Sequence, residues 1–286
     1  MNIRHLVILL LLFLPLTEIK AQDNLVQSDP LRPVTSTFVF GLGSSEIADT
    51  YLSPIIYRGW NGMFNYSRTQ AMKFSPERWI MELGVKLDVA KGKNKVQNTS
   101  IWHAGVEIDW AMLARWKTSQ MITLGIGGYT GLNVGAIYLS SNGNNPVAAK
   151  GAWYVGLRAL GTLKFKMGKI PVLARWQGST PIGGIFFSPD YGELYYEIWL
   201  GNHRDLVHGA WWGNYFRLDN EVTFDIGFGT NWLRIGYRSG IFSSKVNDIT
   251  TRLITNSFLL GISGEWISVN NQGKIKDSTR IISALY

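Results

Sequence analysis

The chain has 286 residues, with 28 basic and 20 acidic side chains and a formal net charge of +8. Only 17% of residues are charged, against the usual quarter, and 13% are aromatic, which excludes a disordered chain. The absence of cysteine excludes a disulfide scaffold, thiolate metal sites, a cysteine nucleophile and a cysteine-linked lipid anchor. The 31 glycines and 12 tryptophans point instead to a turn-rich, aromatic β protein.

Met1 to His5 carries Arg4, Leu6 to Leu16 is an apolar block, and Thr17 to Ala21 is polar and ends in a small residue. That order predicts a secretory signal over residues 1–21, leaving one domain over 22–286. Eleven apolar residues as a helix cover about 17 Å, too short for a bilayer core of about 30 Å. Without the leader, 26 basic and 19 acidic residues leave a net charge of +7. For an exported protein, such a charge suits the phosphates and anionic sugars of outer-membrane lipids, lipopolysaccharide included, and makes nucleic acid a poor partner.

Beyond the leader the dominant signal is alternation with period two, the mark of strands with two unlike faces. In the run from residue 79, Trp79, Met81, Leu83, Val85, Leu87 and Val89 oppose Glu82, Lys86 and Asp88. In the next, Trp102, Val106, Ile108, Trp110 and Met112 oppose His103, Glu107 and Asp109. The stretch 118–149 is free of charge and has Gly127, Gly131 and Gly135 at the spacing of a packed transmembrane helix. It also alternates, and five glycines in eleven residues would weaken a helix by up to about 1 kcal/mol each, so a strand is expected. Further on, Trp153, Val155, Leu157 and Leu163 oppose Tyr154, Arg158, Lys164 and Lys166. Val222, Phe224 and Ile226 oppose Arg217, Asp219, Glu221 and Asp225, and Phe258, Leu260, Ile262 and Trp266 oppose Ser257, Ser263 and Glu265.

These runs reach the nine to eleven residues that a tilted strand needs to cross a bilayer. Trp79, Trp102, Trp110, Trp153 and Trp266 are candidates for membrane-interface belts. Glu82, Lys86, Asp88, His103, Glu107, Asp109, Arg158, Lys164, Arg217, Asp219, Glu221 and Asp225 are candidates to face a wet lumen, where opposite charges can pair and plug the pore. The expected fold is all-β, a closed antiparallel transmembrane β-barrel of about twelve strands, with ten to fourteen also compatible. The strands fall near 34–43, 56–67, 77–90, 100–117, 119–139, 151–167, 170–178, 191–199, 214–228, 231–241, 252–268 and 275–286. A C-terminal aromatic, Tyr286, after an alternating run is similar to the signal read by outer-membrane assembly machinery.

Two stretches carry a family resemblance. They are Phe38-Val39-Phe40-Gly41-Leu42-Gly43 with Asp49-Thr50-Tyr51-Leu52-Ser53-Pro54, and the run from Thr180-Pro181-Ile182-Gly183-Gly184 through Ser188-Pro189-Asp190-Tyr191 to Ile198. Together the chain resembles a family of exported proteins from gut-type Gram-negative bacteria, a domain of unknown function thought to form outer-membrane barrels. The resemblance implies a location and a fold, but no activity and no catalytic residues. The second stretch, rich in Pro, Gly and aromatics, is expected to be a long loop or inward constriction leading into a short strand over 191–199.

No cofactor or metal site is indicated. Ser140-Ser141-Asn142-Gly143 lacks the histidine two residues before the serine that outer-membrane lipid hydrolases use, so His103, His203 or His208 would have to supply the base from elsewhere. His203, Asp205 and His208 match no zinc spacing, and Asp190, Glu193 and Glu197 lack a calcium-loop pattern. The sequence therefore favours a structural, transport or binding barrel with a small or plugged pore over an enzyme. The alternatives are a membrane lipid hydrolase and a soluble secreted barrel holding an apolar ligand.

Overall fold

The computed structural model describes residues 30–143, 145–267 and 280–286. The signal segment 1–21 lies outside the described residues, as do residues 275–279 of the 275–286 run. The chain is a meander of antiparallel strands: β1 (Val34–Asp49), β2 (Ser53–Ala71), β3 (Trp79–Lys93), β4 (Ser100–Lys117), β5 (Ile122–Leu139), β6 (Val147–Met167), β7 (Ile170–Phe187), β8 (Val207–Trp211), β9 (Tyr215–Phe228), β10 (Asn231–Val246) and β11 (Ile249–Trp266). Pairing of β1 with β11, and of β7 with β6 and β9, closes ten of them into a barrel. A circuit of paired residues that leaves β2 at Gly59 passes Ser45, Thr255, Gly240, Asp219, Ser179, Arg158, Gly127, Leu113 and Ile80 and returns at Ala71, a stagger of 12 residues. Such a stagger goes with a strand tilt of roughly 35–45°.

Ten barrel strands replace the twelve expected, for two local reasons. Residues 191–199 are not a strand: they lie in a loop over 188–206 that contains one helical turn, α1 (Tyr195–Trp199), where the Glu197 carboxylate accepts the Leu194 N–H at 3.0 Å. Residues 280–286 are not a strand either. Their single β-bridge, Leu31 with Ile281, is parallel, and the chain then turns inward. The Thr180-to-Phe187 half of the expected loop is part of the wall, the far end of β7, interrupted by one bulge.

Along that edge β9 pairs with Val172 to Ser179 of β7, and β8 with Gly183 to Phe187. Pro181, which has no N–H to give a neighbour, falls in the gap between them. Its carbonyl instead accepts the Trp212 indole N–H. A bulge opposite Val155 and Gly156 re-aims β7 at the same level.

The two faces separate as strand pleating requires. Phe40, Leu42, Ile126, Val134, Phe258 and Leu260 point outward and are exposed, whereas Thr35, Thr37, Thr223, Thr251 and Ser263 point inward and are buried. β5 is a strand: Leu124, Ile126, Leu132 and Val134 are exposed, and Gly125, Tyr129 and Gly131 are buried. Its glycines make room inside. A Cβ on Gly131 would lie 2.5 Å from the ring of Tyr154, a residue held fully buried in the bore. Gly131→Val is therefore expected to cost about 1–3 kcal/mol through overpacking. Gly143→Ala, in the β5–β6 loop with nothing within 4 Å of the new methyl, should cost almost nothing. Denaturant midpoints of the two variants in detergent make the comparison.

Candidate functional site

The bore is where the chemistry collects, because the inward face of the strands carries the charges. Neighbouring strands supply some pairs directly. Lys86 on β3 stands opposite Glu107 on β4 and meets it at 2.5 Å. Asp225 on β9 stands opposite Arg234 on β10 and accepts from its Nε and Nη2 at 2.6 and 2.7 Å. Asp88 and His103 Nε2 lie 2.6 Å apart.

Other contacts cross the bore. Arg158 on β6 donates to Glu82 on β3 and pairs with Asp109 on β4, both at 2.7 Å. Arg175 on β7 reaches the other oxygen of Glu82 at 2.9 Å, and Gln177 Nε2 adds a third donor at 3.1 Å. Arg217 on β9 pairs with Glu107 on β4, which also accepts the Tyr154 hydroxyl at 2.6 Å. Within the wall itself, Asp219 joins Arg217, two residues earlier on β9, at 2.9 Å and contacts Arg238 on the neighbouring β10. Lys150 on β6 meets Asp49 at the end of β1 at 2.6 Å. Aromatic faces cover two of the guanidiniums, Tyr129 under Arg158 at 4.9 Å and Tyr154 under Arg217 at 5.7 Å.

Glu82, Glu107, Arg158 and Arg175 are each 5% exposed or less. A buried charge is tolerated only when paired and hydrogen-bonded, and each of these groups has an opposite partner, although among the described residues Arg158 Nε and Arg175 Nε make no hydrogen bond. The spaces left between them are cavities of about 70 Å³, lined by Asp88, His103 and Arg238 among others, and about 60 Å³, lined by Glu82, Asp109 and Glu221 among others. Each is room for a few waters.

All twelve lumen candidates point into the bore, Lys164 beside a basic cavity at its near end that Arg115 and Lys117 share. Four further partners lie outside that set: Arg175 and Lys150, which reach across the bore, and Arg234 and Arg238, which pair with the neighbouring β9. A usable signal for two of them was present, since Arg234 and Arg238 alternate with Leu233, Ile235 and Tyr237.

Chain segments are anchored at both ends of the bore. At the near rim, where β1 begins and β11 ends, the last residues fold into the barrel instead of extending its wall. Arg115 organises them with its whole guanidinium, donating to the carbonyls of Pro76, Glu77, Ser283 and Ala284. Tyr286 stacks on Trp232 at 4.2 Å and donates its hydroxyl to Asp225 at 2.7 Å. At the far rim the loop 188–206 is tied down by Tyr51, whose hydroxyl donates to the Glu193 carbonyl at 2.7 Å, and by Tyr195, whose oxygen accepts the Ala149 N–H at 2.7 Å. Burial, with Tyr195 adding to it, pushes the Tyr51 hydroxyl above the usual phenol range, so it remains a proton donor.

Glu193 caps its own loop, accepting from the Asp190 N–H and from Asn202 Nδ2. Among the described residues no group of three His, Asp or Glu side chains is placed to hold a metal. His208 Nε2 lies 3.0 Å from the Ser188 carbonyl and 3.3 Å from Asn247 Nδ2, and His103 is engaged by Asp88. Ser141 lines an open groove with Leu52, Tyr57 and Asn142, and among the described residues no histidine lines it.

Outside, Trp102 and Trp153 lie towards the far rim and Trp79 and Trp266 at the near rim. Trp110 is set differently. It pairs with Leu83 and Thr130 in mid-wall, because it stands in the middle of an 18-residue β4 that continues past the alternating run ending at Met112, over the 100–117 span expected for this strand. The tryptophan that marks the near end of β4 is Trp116, with Arg78 at 6.0 Å from its ring, just as Lys91 sits 4.4 Å from the ring of Trp102 at the far end. These two outward tryptophans are 14 residues apart on β4, about 35 Å of axial rise at a tilt near 40°.

Among solved structures the chain is similar to the outer membrane protease OmpT from Escherichia coli, with 5% identity and a TM-score of 0.42, covering 86% of this chain and 99% of that one. It is similar also to the transport unit of the autotransporter AIDA-I from Escherichia coli, with 6% identity, a TM-score of 0.40 and coverage of 86% and 94%. A third is the translocator domain of the autotransporter NalP from Neisseria meningitidis, with 10% identity, a TM-score of 0.35 and coverage of 87% and 91%. No curated protein matches the chain. The model of one family, described as Protein of unknown function (DUF3316), matches residues 5–273, and the chain belongs to that family.

Proposed function

We propose that the protein spans the outer membrane of a Gram-negative bacterium as a plugged barrel, a structural or binding component and not an open channel. It is exported through the leader at 1–21, and residues 22–286 make one domain in contact with outer-membrane lipids and the assembly machinery. The arrangement of the two faces supports the membrane reading. Apolar side chains cover the outside between two levels of tryptophan, and the charges are inside. A soluble barrel holding an apolar ligand requires the reverse.

The observation that carries the plugged reading is the set of ion pairs tying β3 and β4 to β6, β7 and β9 across the bore. Moving ions through it would require several of these pairs to break at once, past the C-terminal residues at one rim and the loop 188–206 at the other. Purified full-length protein in planar bilayers is expected to give no steady unitary conductance, at any polarity, over hours of recording. Reproducible channels from wild-type protein would overturn the plugged reading, and release of the protein from membranes by carbonate washing would overturn the membrane reading.

A further inference from the structure

The outer face of the wall carries one charged groove that the bore does not explain. At the far end of β2 and β3, Arg58 and Lys93 stand opposite each other on the outward face, and one step inward Trp60 stands opposite Lys91, which in turn faces Trp102 on β4. Trp60 and Trp102 pack edge to face at 6.3 Å, and Lys91 lies over the Trp102 ring. The β3–β4 turn adds Lys95, and the groove so formed has a volume of about 530 Å³. Beside it, Arg252 and Arg58 share the single carboxylate of Glu46. Five cations against one carboxylate, level with a tryptophan belt, make a site for an anion held where lipid headgroups lie.

The far rim carries the longest connection between described strands, 188–206, whereas the connections at the near rim, 72–78, 118–121, 168–169 and 229–230, have seven residues or fewer. In outer-membrane barrels the longer loops face out of the cell. On the membrane reading above, on which this inference rests, the groove therefore sits at the outer leaflet. We propose that Arg58, Lys91, Lys93 and Lys95, flanked by Trp60 and Trp102, bind the phosphate of a phosphorylated glycolipid of that leaflet. The tryptophans contact its sugar and upper acyl segments.

The test uses full-length protein in uncharged detergent micelles, with fluorescent diphosphorylated lipid A as probe and its dephosphorylated form as comparison. Wild-type protein is expected to prefer the phosphorylated lipid. R58Q/K91Q/K93Q should weaken that binding at least tenfold, and the milder K93Q/K95Q, altering only exposed side chains, should weaken it severalfold. K73Q/R78Q/K169Q, which removes the same charge at the near rim, should bind like wild type. Equal loss from both rims, equal binding of the dephosphorylated lipid, or unchanged binding in the far-rim variants would overturn the site. Vesicle flotation of the same proteins separates the two ideas: variants that float but do not discriminate defeat the site alone, whereas wild-type protein that does not float defeats the membrane reading.

Discussion

Glu107→Gln is expected to destabilise the barrel by about 3–5 kcal/mol, the cost of removing one partner from a buried ion pair and stranding the other. Glu107 is 4% exposed and receives Lys86, Arg217 and the Tyr154 hydroxyl. The amide keeps the shape but carries no charge, so two inward cations face each other with one fewer anion between them. Glu46→Gln is the matching control. Glu46 also holds two cations, but they are the surface residues Arg58 and Arg252, and solvent-exposed pairs contribute about 0–1 kcal/mol. Reversible unfolding in urea with each variant in the same detergent measures both. Equal, small losses would show that the bore is hydrated well enough to screen its charges, and the plug would then be far looser than its contact geometry implies.

Phe40→Arg is expected to cost about 2–4 kcal/mol in a lipid environment, the range for a cation on the lipid face near mid-bilayer. Phe40 is 62% exposed and stands opposite Phe64 and Leu260 in mid-wall, so the substitution breaks little internal packing. Trp266→Arg, at the end of β11, should cost only about 0–1 kcal/mol from the same source, because a cation there reaches the interface. Folding the two variants into phosphatidylcholine vesicles and measuring their unfolding free energies gives the contrast. In a protein whose outer face meets water the order would vanish, since an exposed Phe replaced by Arg costs nothing for burial. A loss that does not depend on depth would therefore remove the case for a membrane around these strands.

How far the sequence reaches can be argued from particular strands. β3, β4, β6, β9 and β11 were legible because period-two alternation is set by strand geometry itself, and a bilayer rewards it over an uninterrupted length. β5 was legible despite its helix-like glycine spacing because the apolar residues between those glycines keep strict alternation. The segment after β7 was misread at 191–199. Pro189, Gly192 and a cluster of aromatics are compatible with several backbones, and what fixes the loop is distant. Tyr51 and Asn145 grip the Glu193 carbonyl, and Ala149 holds the Tyr195 hydroxyl. The last seven residues misled for a related reason. Their alternation suits a strand, but both neighbouring edges are taken once β1 has paired with β11, and the inward donors of Arg115 and the ring of Trp232 offer another place.

The amino-acid sequence by itself determined that this is a β protein with one oily and one charged face per strand, since those properties are local and repeat every second residue. The tertiary structure alone decided that ten strands close, with a stagger of 12 residues, and which carboxylate meets which guanidinium across the bore. Closure is a property of the whole circuit. It fixes the tilt, and the tilt sets which residues on strands far apart in the chain come to the same height. Glu107 on β4 and Arg217 on β9, or Glu82 on β3 and Arg175 on β7, are partners for that reason, and no spacing along the chain announces them.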